Sequence, residues 1–119
     1  MDNIAGTIIA FLPTGEPYFL VQNKETYQQL VTAKALDNMT NMGAILNVFK
    51  QLEINIVELE LLDLVDVSYQ KQHHTPLFVF KLQVEELPNV NHPYSWIKTT
   101  SFRKILGNLT LDDIAGLTF

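Results

Sequence analysis

The stretch ILNVFKQLEI, residues 45–54, decides how this chain is read. Ile45, Leu46, Phe49 and Leu52 recur at three- and four-residue spacing, and Met39 and Met42 extend the series backwards, which predicts an amphipathic helix. Asp37 and Asn38 precede it as side chains able to accept hydrogen bonds from the free amides of a helix start. The apolar positions cover about half of the helix circumference, a stripe wide enough to pack on a sheet. Thr40, Asn47, Lys50 and Gln51 fall on the other side, and none of them is a carboxylate.

Downstream, INIVELELLDLVDVSY, residues 54–69, is rich in β-branched and aliphatic residues. Val57, Leu59, Leu61, Val65, Val67 and Tyr69 share one strand phase, while Glu58 and Glu60 share the other. Leu62 and Leu64 break the polar phase, and the run exceeds the usual strand of about five or six residues, so a bulge, a bend or two abutting strands is expected. LFVFKLQVEEL, residues 77–87, is its natural antiparallel partner across the polar connector QKQHHTP. Upstream, the apolar runs 4–12 and 18–22 flank PTGEP, whose turn residues predict a hairpin or a tight connection between strands. Residues 24–36 fit either a helical stripe through Tyr27, Leu30, Val31 and Leu36 or an irregular strand and loop. After Pro88 and Pro93, HPYSWIKTT reads as a short strand and SFRKILGN as a helix begun by Thr100 or Ser101 and closed by Gly107. TLDDIAG repeats that helix pattern, with Thr110 and Asp113 at capping-box spacing. One α+β domain spanning residues 1–119 accounts for this order.

Bulk properties exclude several functions. A net charge of -5, with only 8 Lys and Arg, gives no electrostatic footprint for duplex nucleic acid. The chain has no cysteine, which removes disulfides, thiolate catalysis and thiolate metal sites. An acidic residue near the start and an apolar run ending at Pro13 do not suit a signal peptide, and no apolar run approaches the ~18 residues of a membrane span. The expectation is a soluble cytoplasmic protein. Its 7 Phe, 4 Tyr and many aliphatics exceed what a one-sided core needs, which raises the expectation of a homodimer.

The order of elements resembles the Nudix, or MutT-like, family. GEPYFLVQ stands as an early strand, LEINIVELELLDLVDVSY follows the main helix, HTPLFVFKLQVEELP is the next strand, and SWIKTTSFRKIL is the late strand-to-helix passage. The resemblance implies a mixed β-sheet packed between helices, an α/β/α sandwich. The family's signature, G-x5-E-x7-R-E-U-x-E-E-x-G-U with U a bulky aliphatic, lies without gaps over residues 32–54. It then puts Thr32 and Asn38 at the first Gly and Glu, Leu46 and Asn47 at Arg-Glu, Lys50 and Gln51 at the paired glutamates, and Glu53 at the second Gly. Only Val48 and Ile54 match, both at aliphatic positions.

In the family, the box glutamates hold Mg²⁺ or Mn²⁺ against a diphosphate. Asn47 and Gln51 offer neutral carbonyl oxygens, and a protonated Lys50 offers a charge of the wrong sign and no lone pair. The resemblance therefore implies a catalytically degenerate Nudix-like domain, without metal or cofactor, acting as a ligand-binding or protein-interaction module. The alternatives are a divalent-metal-dependent pyrophosphohydrolase using acids outside the box, such as Glu85 or Glu86, and a self-assembling structural protein without a small ligand.

The candidate ligand for the degenerate reading is a phosphorylated or nucleotide-like molecule. Lys50 would bind its phosphate, with Asn47, Gln51 and Thr40 adding hydrogen bonds. Trp96, which shares a strand face with Tyr94, and Tyr27, where the family commonly places an aromatic, would stack on a base. A solvated helix face and a packing tryptophan are the plain alternatives. His73 and His74 point to opposite faces in a strand and, with His92, make a poor zinc set. Ser68, Ser95 and Ser101 lie in no nucleophile motif. Glu58 and Glu60 read as solvent-facing carboxylates rather than an acid-base pair.

Overall fold

Strand alternation and one long helical stripe build the fold from a single two-faced sheet. The structure, a computed structural model, describes residues 4–69, 73–107 and 110–111. Strand β1 (Ile4–Phe11) turns through PTGEP into β2 (Pro17–Asn23), closing the expected hairpin. The turn needs a left-handed residue, which Gly15 supplies at φ 86°, and its amide donates to the Leu12 carbonyl at 2.7 Å. Two short strands, β3 (Gln28–Gln29) and β4 (Val31–Ala33), resolve the ambiguous stretch in favour of the irregular strand. They pair with β2 and β1 respectively.

Helix α1 spans Asn41–Gln51. It starts later than expected, because Thr40 rather than Asp37 or Asn38 is the cap, its Oγ1 accepting the Gly43 amide at 3.0 Å. A short 3₁₀ turn, Ile56–Glu58, leads into β5 (Glu60–Tyr69). That turn takes Val57 out of the strand phase and leaves it 88% exposed. Strand β6 (His73–Gln83) pairs antiparallel with β5, and a register shift between Leu61 and Asp63 shows that, of the expected bulge, bend or two abutting strands, a bulge forms. It begins at His73, so part of the polar connector is strand, and His74 Nδ1 lies 3.1 Å from Asp66 Oδ2. Then follow β7 (Tyr94–Lys98), α2 (Thr99–Leu106) and β8 (Thr110–Leu111). Helix α2 begins at Thr99, with Lys98 at the cap position and no side-chain cap bond, and Gly107 follows its last residue as expected. Thr110 pairs with Ser68 in the sheet instead of starting a helix, and Asp113 lies outside the described residues.

Among the described residues the sheet has eight strands, in the path β3-β2-β1-β6-β5-β8, with β4 also on β1 and β7 also on β2. The β1–β6 pair is parallel and the others are antiparallel, which makes the sheet mixed. Alternation along β1 then creates two cores. Ile4 and Ile8 join Leu20, Phe78 and Phe80 under Ala44, Ile45 and Phe49 of α1. Ala5 and Ile9 join Phe19, Val65, Val67 and Val79 under Phe102 and Ile105 of α2. Gly6 lets α1 approach: a Cβ there would lie 2.5 Å from Ile45 Cγ1 and 3.2 Å from Phe49 Cζ. The result is the expected α/β/α sandwich, and no helix among the described residues is long and apolar enough to cross a membrane.

Candidate functional site

Helix α1 turns Ala44, Ile45 and Phe49 into the sheet, where Phe49 meets Phe80 edge to face at 5.8 Å. Helical periodicity then sends Asn47, Lys50 and Gln51 to the outer side, Lys50 and Gln51 exposed and Asn47 half-buried. Lys50 occupies the last turn, where a cation complements the negative end of the helix dipole. Thr40 Oγ1 already serves the helix start, so part of its hydrogen-bonding capacity is taken.

The helix ends in a Schellman motif. The Glu53 amide donates to the Lys50 carbonyl at 2.9 Å, the Ile54 amide reaches the Phe49 carbonyl at 3.2 Å, and Ile54 packs in the same core as Phe49. Glu53 sits at the left-handed position with φ 64°, a conformation that normally calls for glycine.

The aromatic candidates are not brought together. Trp96 lies opposite Leu20 in the β2–β7 pair and packs with the α1-side core, its Nε1 donating to the Pro88 carbonyl at 2.8 Å. Tyr27, 59% exposed, lines a shallow groove with Gln28, Ser101, Lys104 and Ile105 of the α2 side. The sheet therefore stands between Tyr27 and the outer face of α1. Lys50 and Tyr27 therefore do not share one site.

Two further features combine residues that the sequence reading treated separately. A groove of about 500 Å³ runs beside the hairpin, lined by Phe11, Leu12, Lys81, Gln83 and Glu85, with Lys81 Nζ 5.6 Å from the Phe11 ring centroid. Glu58 and Glu60 line an adjoining groove that shares Lys81 and Gln83. Glu58, Glu60 and Glu85 were each considered in the sequence, but Lys81 and Gln83, which interrupt one phase of an otherwise apolar strand, were the unread signal that they border adjoining grooves. The second feature is apolar: Leu61, Leu62 and Leu64 are 44%, 48% and 50% exposed. Leu61 departs from its expected inward place, whereas Leu62 and Leu64 already stood out as leucines in the polar phase.

Among titratable groups, the Tyr18 hydroxyl is held above its ordinary value of 10.0 by its hydrogen bond to Glu16, assisted by burial and by the carboxylate's charge. Among the described residues no group of three His, Asp or Glu side chains is placed to hold a metal ion.

Comparison with known proteins identifies the architecture through structure and not through sequence. No family model matches the sequence, and no curated protein matches it. Among solved structures, the C. elegans Ap4A hydrolase superposes with a TM-score of 0.59 at 16% identity, covering 90% of this chain and 88% of that one. The NUDIX domain of Shewanella oneidensis NrtR, solved with ADP ribose, superposes at 0.56 with 7% identity over 85% and 74% of the two chains. The fold is the Nudix fold. A third match, the C-terminal domain of mouse MUTYH in complex with human PCNA, has a TM-score of 0.53 at 13% identity over 88% and 83%. The Nudix likeness predicted from element order therefore holds at the level of architecture. On that architecture α1 is the helix at which residues 32–54 were aligned to the Nudix box.

Proposed function

We propose that this chain is a catalytically degenerate Nudix-like domain that works as a binding module, with protein segments as its main partners. The observation that carries the reading is the outer face of α1, which presents Asn47, Lys50 and Gln51 and no carboxylate. A divalent ion held there would need hard, charged oxygens in near-octahedral array. The residues present do not fit it: Lys50 repels a cation, and the amides of Asn47 and Gln51 are weak substitutes. Glu53, the nearest carboxylate in the motif, occupies the left-handed C-terminal position of the helix, which in the family belongs to glycine. The separation of Tyr27 from Trp96 argues against a nucleotide sandwiched between aromatics, and the exposed leucines of β5 favour a protein partner.

The test is a hydrolysis assay of the full chain on dinucleoside polyphosphates, nucleotide sugars and ADP ribose with Mg²⁺ or Mn²⁺, alongside thermal unfolding with the same compounds. The expected result is no turnover and no metal-dependent stabilisation. Metal-dependent turnover lost on Glu85→Gln or Glu86→Gln would replace this reading with the hydrolase. A metal-free shift abolished by Lys50→Ala would place a phosphate ligand on α1 instead.

A further inference from the structure

The surface grooves differ in charge. Those beside β6 carry Glu85 in one and Glu58 and Glu60 in the other, each together with Lys81. Another, of about 350 Å³, lies where the turn between β2 and β3 meets α2, and is lined by Tyr27, Gln28, Ser101, Lys104 and Ile105. Among the described residues it carries a lysine and no carboxylate, in a chain whose net charge is -5.

Local structure fixes each wall of this groove. The Lys24 amide donates to the Tyr27 carbonyl at 2.8 Å, which closes the turn, and Tyr27 stands 59% exposed at its end. Ser101, Lys104 and Ile105 follow one another at three- and four-residue spacing, so they share one face of α2. The Phe19–Phe102 stack anchors that helix, and Ile105, almost buried in the same core, gives the groove an apolar base. Gln28 is held from the sheet. Its Nε2 donates to Asn23 Oδ1 at 2.9 Å, and the same oxygen accepts Ser95 Oγ from β7 at 3.2 Å. One amide hydrogen of Gln28 remains for a ligand.

The groove's other donors are unclaimed. Among the described residues, no hydrogen bond or ion pair engages the Tyr27 hydroxyl, the Ser101 hydroxyl or the Lys104 ammonium. Donors gathered without an opposing carboxylate select an anion, to which the ammonium supplies charge and the neutral donors direction. The exposed tyrosine ring beside Ile105 selects a flat apolar group next to that anion. The volume is that of a small-molecule site. One lysine gives a nucleic acid or an acidic peptide little to hold, whereas it suffices for a single carboxylate or phosphate.

We infer that the groove between the β2–β3 turn and α2 binds a small aromatic acid, with its ring on Tyr27 and its carboxylate or phosphate at Lys104 and Ser101. The site lies across the sheet from the outer face of α1, so the inference goes beyond the reading of that helix and does not depend on it.

The test is an amide NMR titration of the full chain with phenyl phosphate and with benzoate. Inorganic phosphate, the anion without a ring, and benzyl alcohol, the ring without an anion, are the controls. Saturable shifts confined to the β2–β3 turn and α2 are expected with at least one of the acids, weakening as salt is raised, and the acid that binds identifies the anionic group. Both controls should bind at least about tenfold more weakly, since each lacks one of the two contacts. Lys104→Gln should weaken binding by about tenfold, as loss of a charge-assisted hydrogen bond would, and Lys104→Arg should keep it. Tyr27→Leu should reduce the aromatic acid to the level of its ring-free control, while Tyr27→Phe should preserve the difference. Both positions are exposed, and matching spectra of the free variants separate loss of binding from misfolding. No saturable shift, controls that bind as well as the acids, shifts centred elsewhere, or binding indifferent to both Lys104→Gln and Tyr27→Leu would overturn the inference. So would binding abolished by Lys50→Ala, which would give the acid to α1. A failed titration leaves the reading of α1 standing, because the two sites share no residue.

Discussion

Gly6 lies directly beneath Ile45, so close that the smallest added side chain would meet Ile45 Cγ1 at 2.5 Å. The contact sets how near α1 comes to β1 and therefore where the outer face of the helix is presented. Gly6→Ala should destabilise the protein by about 1–3 kcal/mol through overpacking. Combining it with Ile45→Ala, which vacates the space, should cost less than the two single changes added together. Denaturant unfolding of the two single variants and the double variant measures the coupling; strict additivity would show that the backbone adjusts freely at this point.

Glu53 occupies a left-handed position at the end of α1. The energetic cost of that conformation for an L-residue is roughly 1–2 kcal/mol, against a smaller entropic penalty for glycine. Glu53→Gly should therefore raise stability by about 0.5–1 kcal/mol, and Glu53→Val should lower it, since a β-branched residue is least suited to φ > 0. A lower melting temperature for the glycine variant would mean that Glu53 makes compensating interactions.

Phe102 stacks on Phe19 with ring centroids 4.2 Å apart and an interplanar angle of 11°, both rings buried. This pair fastens α2 to β2. Phe102→Ala should cost about 3–5 kcal/mol, the usual range for emptying a buried aromatic site. Hydrogen exchange should show α2 opening before α1 in that variant, because Phe102 belongs only to the α2-side core. Equal loss of protection in both helices would mean that the two cores unfold as one.

Tyr18 should titrate later than an ordinary tyrosine, because Glu16 favours its neutral form. Its folded-state value is raised, so its small contribution to stability is present below the ordinary value of 10.0 and is lost as the pH climbs through the folded value. Ultraviolet titration of the native chain at alkaline pH, compared with Glu16→Gln, measures this. One tyrosine transition should move down in the variant, and an unmoved curve would remove Glu16 as the cause.

Local chemistry was enough for much of the architecture. The two-residue period of β1 and β5 and the three- and four-residue period of α1 are properties of short segments, and the turn residues of PTGEP act on their own neighbours. Hence the hairpin, the main helix, an irregularity within β5 and the late strand-to-helix passage were all legible in the sequence. So was the absence of carboxylates on the outer face of α1, since helical phase alone assigns it. The start of that helix was not, because Asp37, Asn38 and Thr40 are all competent caps and only the path of the preceding chain selects Thr40. The strand phase also misplaced Val57 and Leu61, because the 3₁₀ turn and the bulge each reset an alternation that sequence counting carries straight through.

Tertiary structure alone decided which residues meet. Tyr27 and Trp96 are equally aromatic in the sequence, but strand pairing puts Trp96 on the α1 side and leaves Tyr27 beside α2. Glu53 is an ordinary acid in the sequence and takes a glycine's conformation because Ile54 must turn back onto Phe49. Leu61 shares a strand phase with Val65 and Val67 in the sequence, yet it is 44% exposed, because the β5 bulge leaves it on the other face, opposite Phe80. Periodicity is a short-range property of the chain, whereas exposure and proximity depend on pairings between segments far apart in sequence. The helix's missing carboxylates were therefore readable residue by residue, and the exposure of Leu61 appeared only once the sheet was assembled.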